Sequence, residues 1–136
     1  MFGPVSEGLR LFRNRASVAV VGYSEKPTRV SNRITRYLVE EGNPVVGINP
    51  KYIDKANGIT VISRLSELSQ AVDIIQVFRN SSALQDLANE ILALKWKPKL
   101  VWCQQGVVDV VFQKRLEKYG IPVVMDACPY ALRSYL

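Results

Sequence analysis

The sequence predicts a three-layer α/β fold, a five-stranded parallel sheet in the order 3-2-1-4-5 with helices on both faces. Three observations carry this expectation. Short apolar runs alternate along the chain with segments of helical periodicity, as in Val18-Ala19-Val20-Val21 followed by Ile34, Tyr37 and Leu38. The runs are apolar at successive rather than alternate positions, which marks strands covered on both sides. They also end in glycine, proline or polar residues, and in an open parallel sheet those ends gather along one edge, where ligands bind.

The elements follow in order. Residues 5 to 14 carry Val5, Leu9 and Phe12 at helical spacing with Leu11 beside them, so residues 1 to 15 read as an N-terminal helical extension packed on the domain. Strand one covers about 17 to 22 and ends at Gly22-Tyr23-Ser24-Glu25-Lys26-Pro27. A helix from about Val30 to Glu41 follows, with Ile34, Tyr37 and Leu38 on one face and Gly42 as its C-cap. Strand two is Pro44 to Asn49. Pro50 opens an irregular stretch through Gly58, a brief extended piece runs from Ile59 to Ile62, and a short helix begins at Ser66-Glu67-Leu68.

Strand three, Val72 to Phe78, leads into a helix from about Ser82 to Leu94, with Leu84, Leu87, Ala88, Ile91 and Leu92 at helical spacing. Strand four is Leu100 to Cys103. A helix from about Val108 to Tyr119 stops at Gly120, and strand five, Ile121 to Met125, precedes a short tail. Right-handed crossovers give these strands a Rossmann-like order, with a crevice between strands one and four. No linker, repeat or low-complexity tract divides the chain, so residues 1 to 136 form one domain.

Composition narrows the functions. At 136 residues and 48% hydrophobic content, the chain is long enough to bury a substantial core. No apolar stretch approaches the ~20 residues that span a bilayer, and the N-terminus lacks the basic-then-apolar order of a signal peptide. A cytoplasmic protein with no membrane partner is expected. Cys103 and Cys128 lie in or beside apolar runs, outside any C-x-x-C pair, which fits a reducing compartment. The chain has no histidine, which removes the commonest general base and metal ligand; no catalytic residue and no metal site is assigned. A net charge of +6 points to an anionic partner. That partner is a nucleic acid, a membrane surface or a phosphorylated small molecule, and charge alone does not choose; the cations, scattered without the aromatic interleaving of RNA-binding modules, read mostly as a solvated basic surface, and no nucleic acid is expected.

The strand ends supply the candidate site. A diphosphate needs close approach to backbone N–H groups and positive potential, which Gly22, Tyr23 and Ser24 ahead of a helix N-terminus offer. The segment lacks the full G-x-G-x-x-G fingerprint, so a plain strand-to-helix turn stays open. Lys26, Arg29, Ser31 and Arg33 add donors near the same helix start. At the end of strand two an NAD site places Asp or Glu for the ribose hydroxyl, whereas this chain has Asn49, Pro50 and Lys51. Lys51 suits a phosphorylated ribose, or is an exposed lysine in a proline-fixed turn. Phe78 and Arg79 close strand three, with Arg79 facing a phosphate or pairing with a carboxylate. Gln104, Gln105 and Gly106 offer amides and close backbone approach to a polar ligand chain, or simply end strand four. Cys128 lies past strand five. Without histidine its thiol would need a helix dipole or a cation for activation, and packing is the alternative. Asp126 reads as a turn residue or structural acceptor, Cys103 as core.

These residues together resemble the small bacterial and archaeal CoA-binding proteins, similar to the CoA-binding domain of the succinyl-CoA synthetase alpha subunit. The resemblance spans roughly residues 15 to 130. It rests on Val18-Ala19-Val20-Val21-Gly22-Tyr23-Ser24 with Lys26-Pro27, Val46-Gly47-Ile48-Asn49-Pro50-Lys51, Val72 through Arg79, Val101-Trp102-Cys103-Gln104-Gln105-Gly106, and Val123-Val124-Met125-Asp126-Ala127-Cys128-Pro129. It implies that coenzyme A or an acyl-CoA lies across the strand ends, with its diphosphate near Gly22 and Ser24. Lys26, Asn49, Pro50, Lys51, Phe78 and Arg79 would line that site, Gln104 and Gly106 would lie toward the pantetheine arm, and Cys128 is counted with the cofactor-binding residues. Ala127 departs from the basic or polar residue of many relatives.

The expected function is therefore CoA binding without catalysis. The alternatives are a small NADP-linked or CoA-dependent enzyme, with Lys51 reading a ribose phosphate and Cys128 supplying a thiol, and a CoA-sensing regulatory module. The N-terminal segment leaves a homodimer open.

Overall fold

Runs of Val, Ile, Leu and Cys with no polar interruption become strands only where both faces can be covered, and three such runs form the centre of the sheet. These are β1 (Val18–Val21), β5 (Ile74–Val77) and β6 (Leu100–Cys103), buried at every position. The structure, a computed structural model, describes residues 3–52 and 54–135. β1 pairs in parallel with β2 (Val45–Ile48) on one side and with β5 on the other, and β6 continues the sheet to β7 (Val123–Val124).

Side chains alternate between two cores. Ala19, Val21, Ile75, Val77, Val101 and Cys103 face α3 (Leu84–Leu92) and α4 (Val110–Glu117). Val18, Val20, Ile74, Leu100 and Trp102 face α1 (Pro4–Arg13) and α2 (Val30–Glu40). The three layers of a Rossmann-like α/β fold result. The apolar stripe of α1 is spent inside the chain, with Leu9 and Phe12 buried and the Phe12 ring edge-on to Trp102 at 5.5 Å. Among the described residues, no helix is long and apolar enough to cross a membrane.

The strand number and order correct the expectation. The sheet has seven strands, β3-β4-β2-β1-β5-β6-β7. The brief extended piece is β4 (Ile59–Ile62), a parallel neighbour of β2, and β3 (Asp54–Ala56) runs antiparallel along its outer side. The run expected as strand three is β5, which lies against β1 rather than beyond β2. The chain therefore reverses direction across the sheet between β1 and β5, and the crevice opens there, between Gly22 and Phe78, not between strands one and four. The physical reason lies in the links. β2 reaches β4 through a strand and a turn with no helix, and β4 reaches β5 with only a 3-10 turn at Leu65–Glu67, so neither link carries helical periodicity.

At the opposite edge Asp73 and Ser17 clasp the starts of β5 and β1. The Asp73 carboxylate accepts from the Ser17 N–H at 3.0 Å, and the Asp73 N–H donates to the Ser17 hydroxyl at 2.9 Å. Partial burial pushes the Asp73 carboxyl up. The Ser17 N–H and the Lys99 ammonium, 3.4 Å away, outweigh that and hold it below its usual value.

Candidate functional site

The crevice begins at Gly22. Its φ of +87° is one that L side chains rarely adopt, and a Cβ there would meet the Phe78 carbonyl oxygen at 3.0 Å. Its N–H donates to the Ile48 carbonyl at 3.0 Å, which draws the β1 and β2 ends together. The loop beyond is internally braced. The Ser24 N–H donates to the Ser31 hydroxyl at 3.1 Å, the Asn32 amide donates to the Ser24 carbonyl at 2.9 Å, and the Lys26 N–H donates to the Ser24 hydroxyl at 3.2 Å. Asn49 ties the second loop to the first, donating to the Tyr23 carbonyl at 2.8 Å and accepting from the Lys51 N–H at 2.9 Å.

What this framework leaves open is the start of α2. Its N-cap is Arg29, which supplies no capping oxygen, and its first turn holds no acidic residue. The other two helices that follow strands differ. α4 is capped by Asp109, which accepts from the Phe112 N–H at 3.0 Å, and α3 has Asp86 in its first turn. The Val30 and Ser31 N–H groups at the start of α2 are thus left to an outside acceptor, with the positive end of the helix dipole behind them, while the Asn32 N–H donates to the Arg29 carbonyl at 3.1 Å. A cavity of about 590 Å³ opens at this point, bounded by Gly22, Ser24, Ser31, Asn49 and Phe78. Lys26, Arg29 and Lys51 also line it, and among the described residues no carboxylate does. The Lys51 ammonium stands 5.6 Å from the centre of the Tyr52 ring on the same wall.

Two further cavities flank it along the strand ends. One of about 750 Å³ lies past Val21 and Ile48, bounded by Pro50, Arg79, Arg64 and Trp96. Its carboxylate, Glu90, is engaged, accepting from the Leu65 N–H at 2.8 Å. The other, of about 410 Å³, shares Val30 with the central cavity and is mainly apolar, lined by Ile34, Tyr37, Tyr130, Gln104, Cys128 and Arg33. Gln104 is 5% exposed and accepts from the Gln76 amide at 3.1 Å. The Cys128 loop is pinned from below, where the Trp102 indole donates to the Ala127 carbonyl at 2.8 Å and the Gly106 N–H donates to the Asp126 carboxylate at 2.7 Å.

Of the residues singled out in the sequence, Gly22, Ser24, Lys26, Asn49, Lys51 and Phe78 meet in the central cavity, Pro50 and Arg79 in the larger one, and Gln104 and Cys128 in the apolar one. Two take other places. Tyr23 is 1% exposed with its ring against Gly47, beneath the loop, where a Cβ on Gly47 would meet it at 3.1 Å. Gly106 lines none of the three cavities and spends its N–H on Asp126. Arg64, Trp96, Tyr52 and Tyr130 join the cavity walls unforeseen. Tyr130 is brought there by edge-on stacking on Tyr37 at 4.9 Å, a contact with no local sequence signal.

Known proteins bear on this arrangement. Residues 16–133 match the family described as CoA binding domain. An uncharacterized protein of Bacillus subtilis (strain 168), YneT, is 35% identical over 111 residues, covering 82% of this chain and 80% of its own. A solved Thermus thermophilus protein is 39% identical with a TM-score of 0.80, over 90% of this chain and 91% of that one. A hypothetical protein from Pyrococcus horikoshii OT3, 23% identical, superposes with a TM-score of 0.85 over 100% of this chain and 97% of that one, and shares the fold.

Proposed function

The chain belongs to the CoA binding domain family, and from that premise we propose that it holds coenzyme A, free or acylated, across the C-terminal ends of its parallel strands, without catalysis of its own. The observation that carries the proposal is the uncapped start of α2 opening into a cavity lined by Lys26, Arg29 and Lys51 and, among the described residues, by no carboxylate. A diphosphate fits that chemistry, since its oxygens accept from first-turn N–H groups and meet both the dipole and the ammonium groups.

The flanking cavities suit the two ends of the same ligand. The larger one carries Arg64, Arg79 and the Trp96 ring, which match a ribose phosphate and a base. The mainly apolar one, reached past Val30, matches the uncharged pantetheine arm, with the Gln104 amide as a polar contact. A ligand anionic at one end and neutral at the other thus meets walls of the same division. A plain NAD site is disfavoured, because Asn49, Pro50 and Lys51 offer no carboxylate for the ribose hydroxyls. With no histidine in the chain and Glu90 bound to the Leu65 N–H, the cavities favour holding the cofactor over transforming it.

Titration calorimetry with CoA, dephospho-CoA and NADP tests this. CoA is expected to bind one per chain and tightest, and at a hundredfold excess over Kd to stabilise the fold by about 2.7 kcal/mol. Tighter binding of NADP, or no heat and no rise in Tm at millimolar CoA with the protein folded, overturns the proposal.

A further inference from the structure

Away from the strand ends, a cavity of about 180 Å³ lies between the C-terminal halves of α1 and α2 and the tail residues Pro129 and Arg133. Among the described residues it shares Tyr37 with the apolar cavity and none with the two basic ones. What marks it is Asn43, 5% exposed on its wall. The Asn43 amide nitrogen donates to the Phe12 carbonyl at 3.2 Å and to the Ala16 carbonyl at 2.9 Å, which fixes the orientation of the amide. Its Oδ1 is left on the other side, buried and with no hydrogen-bond partner among the described residues. A buried acceptor without a donor is costly, and a ligand N–H in the cavity removes the cost.

Charges of both signs stand around the same cavity. The Glu41 carboxylate, at the end of α2, has no hydrogen-bond or ion-pair partner among the described residues. The Arg133 guanidinium is preset, with its Nη1 donating to the Tyr130 carbonyl at 2.6 Å and its centre 3.7 Å from that of the Tyr130 ring. Burial and the Glu41 carboxylate push the Tyr37 hydroxyl up, whereas Arg133 and Arg13 pull it down, so both signs reach that one group. Beneath these charges the walls are apolar, with Leu9, Phe12 and Leu38 all buried.

A ligand that answers every wall carries a cationic N–H donor, an anion beside it and a short apolar body. We propose that the cavity binds a small apolar α-amino acid, its ammonium group between the Glu41 carboxylate and Asn43 Oδ1, its carboxylate on Arg133 and its side chain against Leu9, Phe12 and Leu38. Water would satisfy Asn43 but would leave a carboxylate and a guanidinium above an apolar floor without a counterpart. Size agrees, since a cavity of about 150 Å³ holds benzene and this one is somewhat larger, as valine or leucine requires. Nothing in this site draws on CoA.

Isotope-labelled protein free of CoA is titrated with L-valine and L-leucine and followed by NMR, through the backbone amides and the Asn43 side-chain amide. Saturable shifts at millimolar amino acid are expected at Phe12, Tyr37, Glu41 and Asn43, with none at Gly22, Ser24 or Ser31. Isoamylamine, which is leucine without its carboxylate, and isocaproate, which lacks the ammonium group, are each expected to bind at least about tenfold less tightly, as is L-leucine to Glu41→Gln. That variant keeps its Tm, because the carboxylate it loses bonds to no described residue. No saturable shift with either amino acid, shifts centred on the CoA crevice, isoamylamine binding as tightly as leucine, or unchanged affinity in Glu41→Gln overturns the proposal. Calorimetry with CoA on the same protein reads the other site separately, so failure here leaves the CoA reading standing.

Discussion

Lys51 stands on the exposed side of its turn, with only its N–H tied to Asn49 and its ammonium turned along the Tyr52 ring toward the basic cavity. Its worth is therefore electrostatic rather than structural. Lys51→Ala is expected to weaken CoA binding about tenfold, the size of one charge-assisted hydrogen bond, while Tm in the absence of CoA stays unchanged. Salt should weaken the wild-type protein more than the variant, and calorimetry at two ionic strengths checks both effects. Gly22 is the reverse case. With φ at +87° and the Phe78 oxygen 3.0 Å from any Cβ, Gly22→Ala is expected to lower stability by about 1–2 kcal/mol or more and to loosen CoA binding with it, read by denaturant unfolding and calorimetry. Both residues were legible in the sequence because a strand end followed by a helix start fixes which part of the chain faces a ligand. Tyr23 was not, since the turn at Gly22 sends its ring below the loop onto Gly47. Arg64, Trp96 and Tyr130 were not either, because they reach the walls from segments that tertiary packing alone brings to the sheet edge.

The elements that carry a helix between strands were readable, and those that do not were misplaced. α2, α3 and α4 each announce the crossover beside them, whereas β4 is four residues between a hairpin and a 3-10 turn, and nothing in its own pattern says which neighbour it takes. Leaving β4 out of the sheet moved β5 to the wrong side of β1 and the crevice with it. At the far edge, the clasp between Asp73 and Ser17 makes its own prediction. Its carboxyl is held below 3.8 in the folded protein, so the clasp contributes stability in full above the unfolded value and loses it as pH falls through the lowered folded value. Tm is expected to drop on acidification below about pH 4, and Asp73→Asn to flatten that drop. The same variant lies at the opposite edge from the crevice, and its CoA affinity at neutral pH should match the wild type. Thermal unfolding across pH, with one calorimetric titration, checks both.

Across the whole molecule, a net charge of +6 told only that the partner is anionic. The fold turns that statement into a location, because the sheet reverses at β1 and β5 and leaves α2 the one crossover helix with neither a cap nor an acid at its start. Basic cavities gather on one side of that start and an apolar one on the other, as an elongated ligand with phosphates at one end requires. The measurement that tests this most directly is a crystal structure of the protein with CoA. The account predicts the diphosphate within hydrogen-bond distance, about 3 Å, of the Val30 and Ser31 N–H groups, with the arm passing Val30 toward Gln104. A diphosphate bound elsewhere on the molecule, or an arm that never enters the cavity of Gln104 and Cys128, would contradict it.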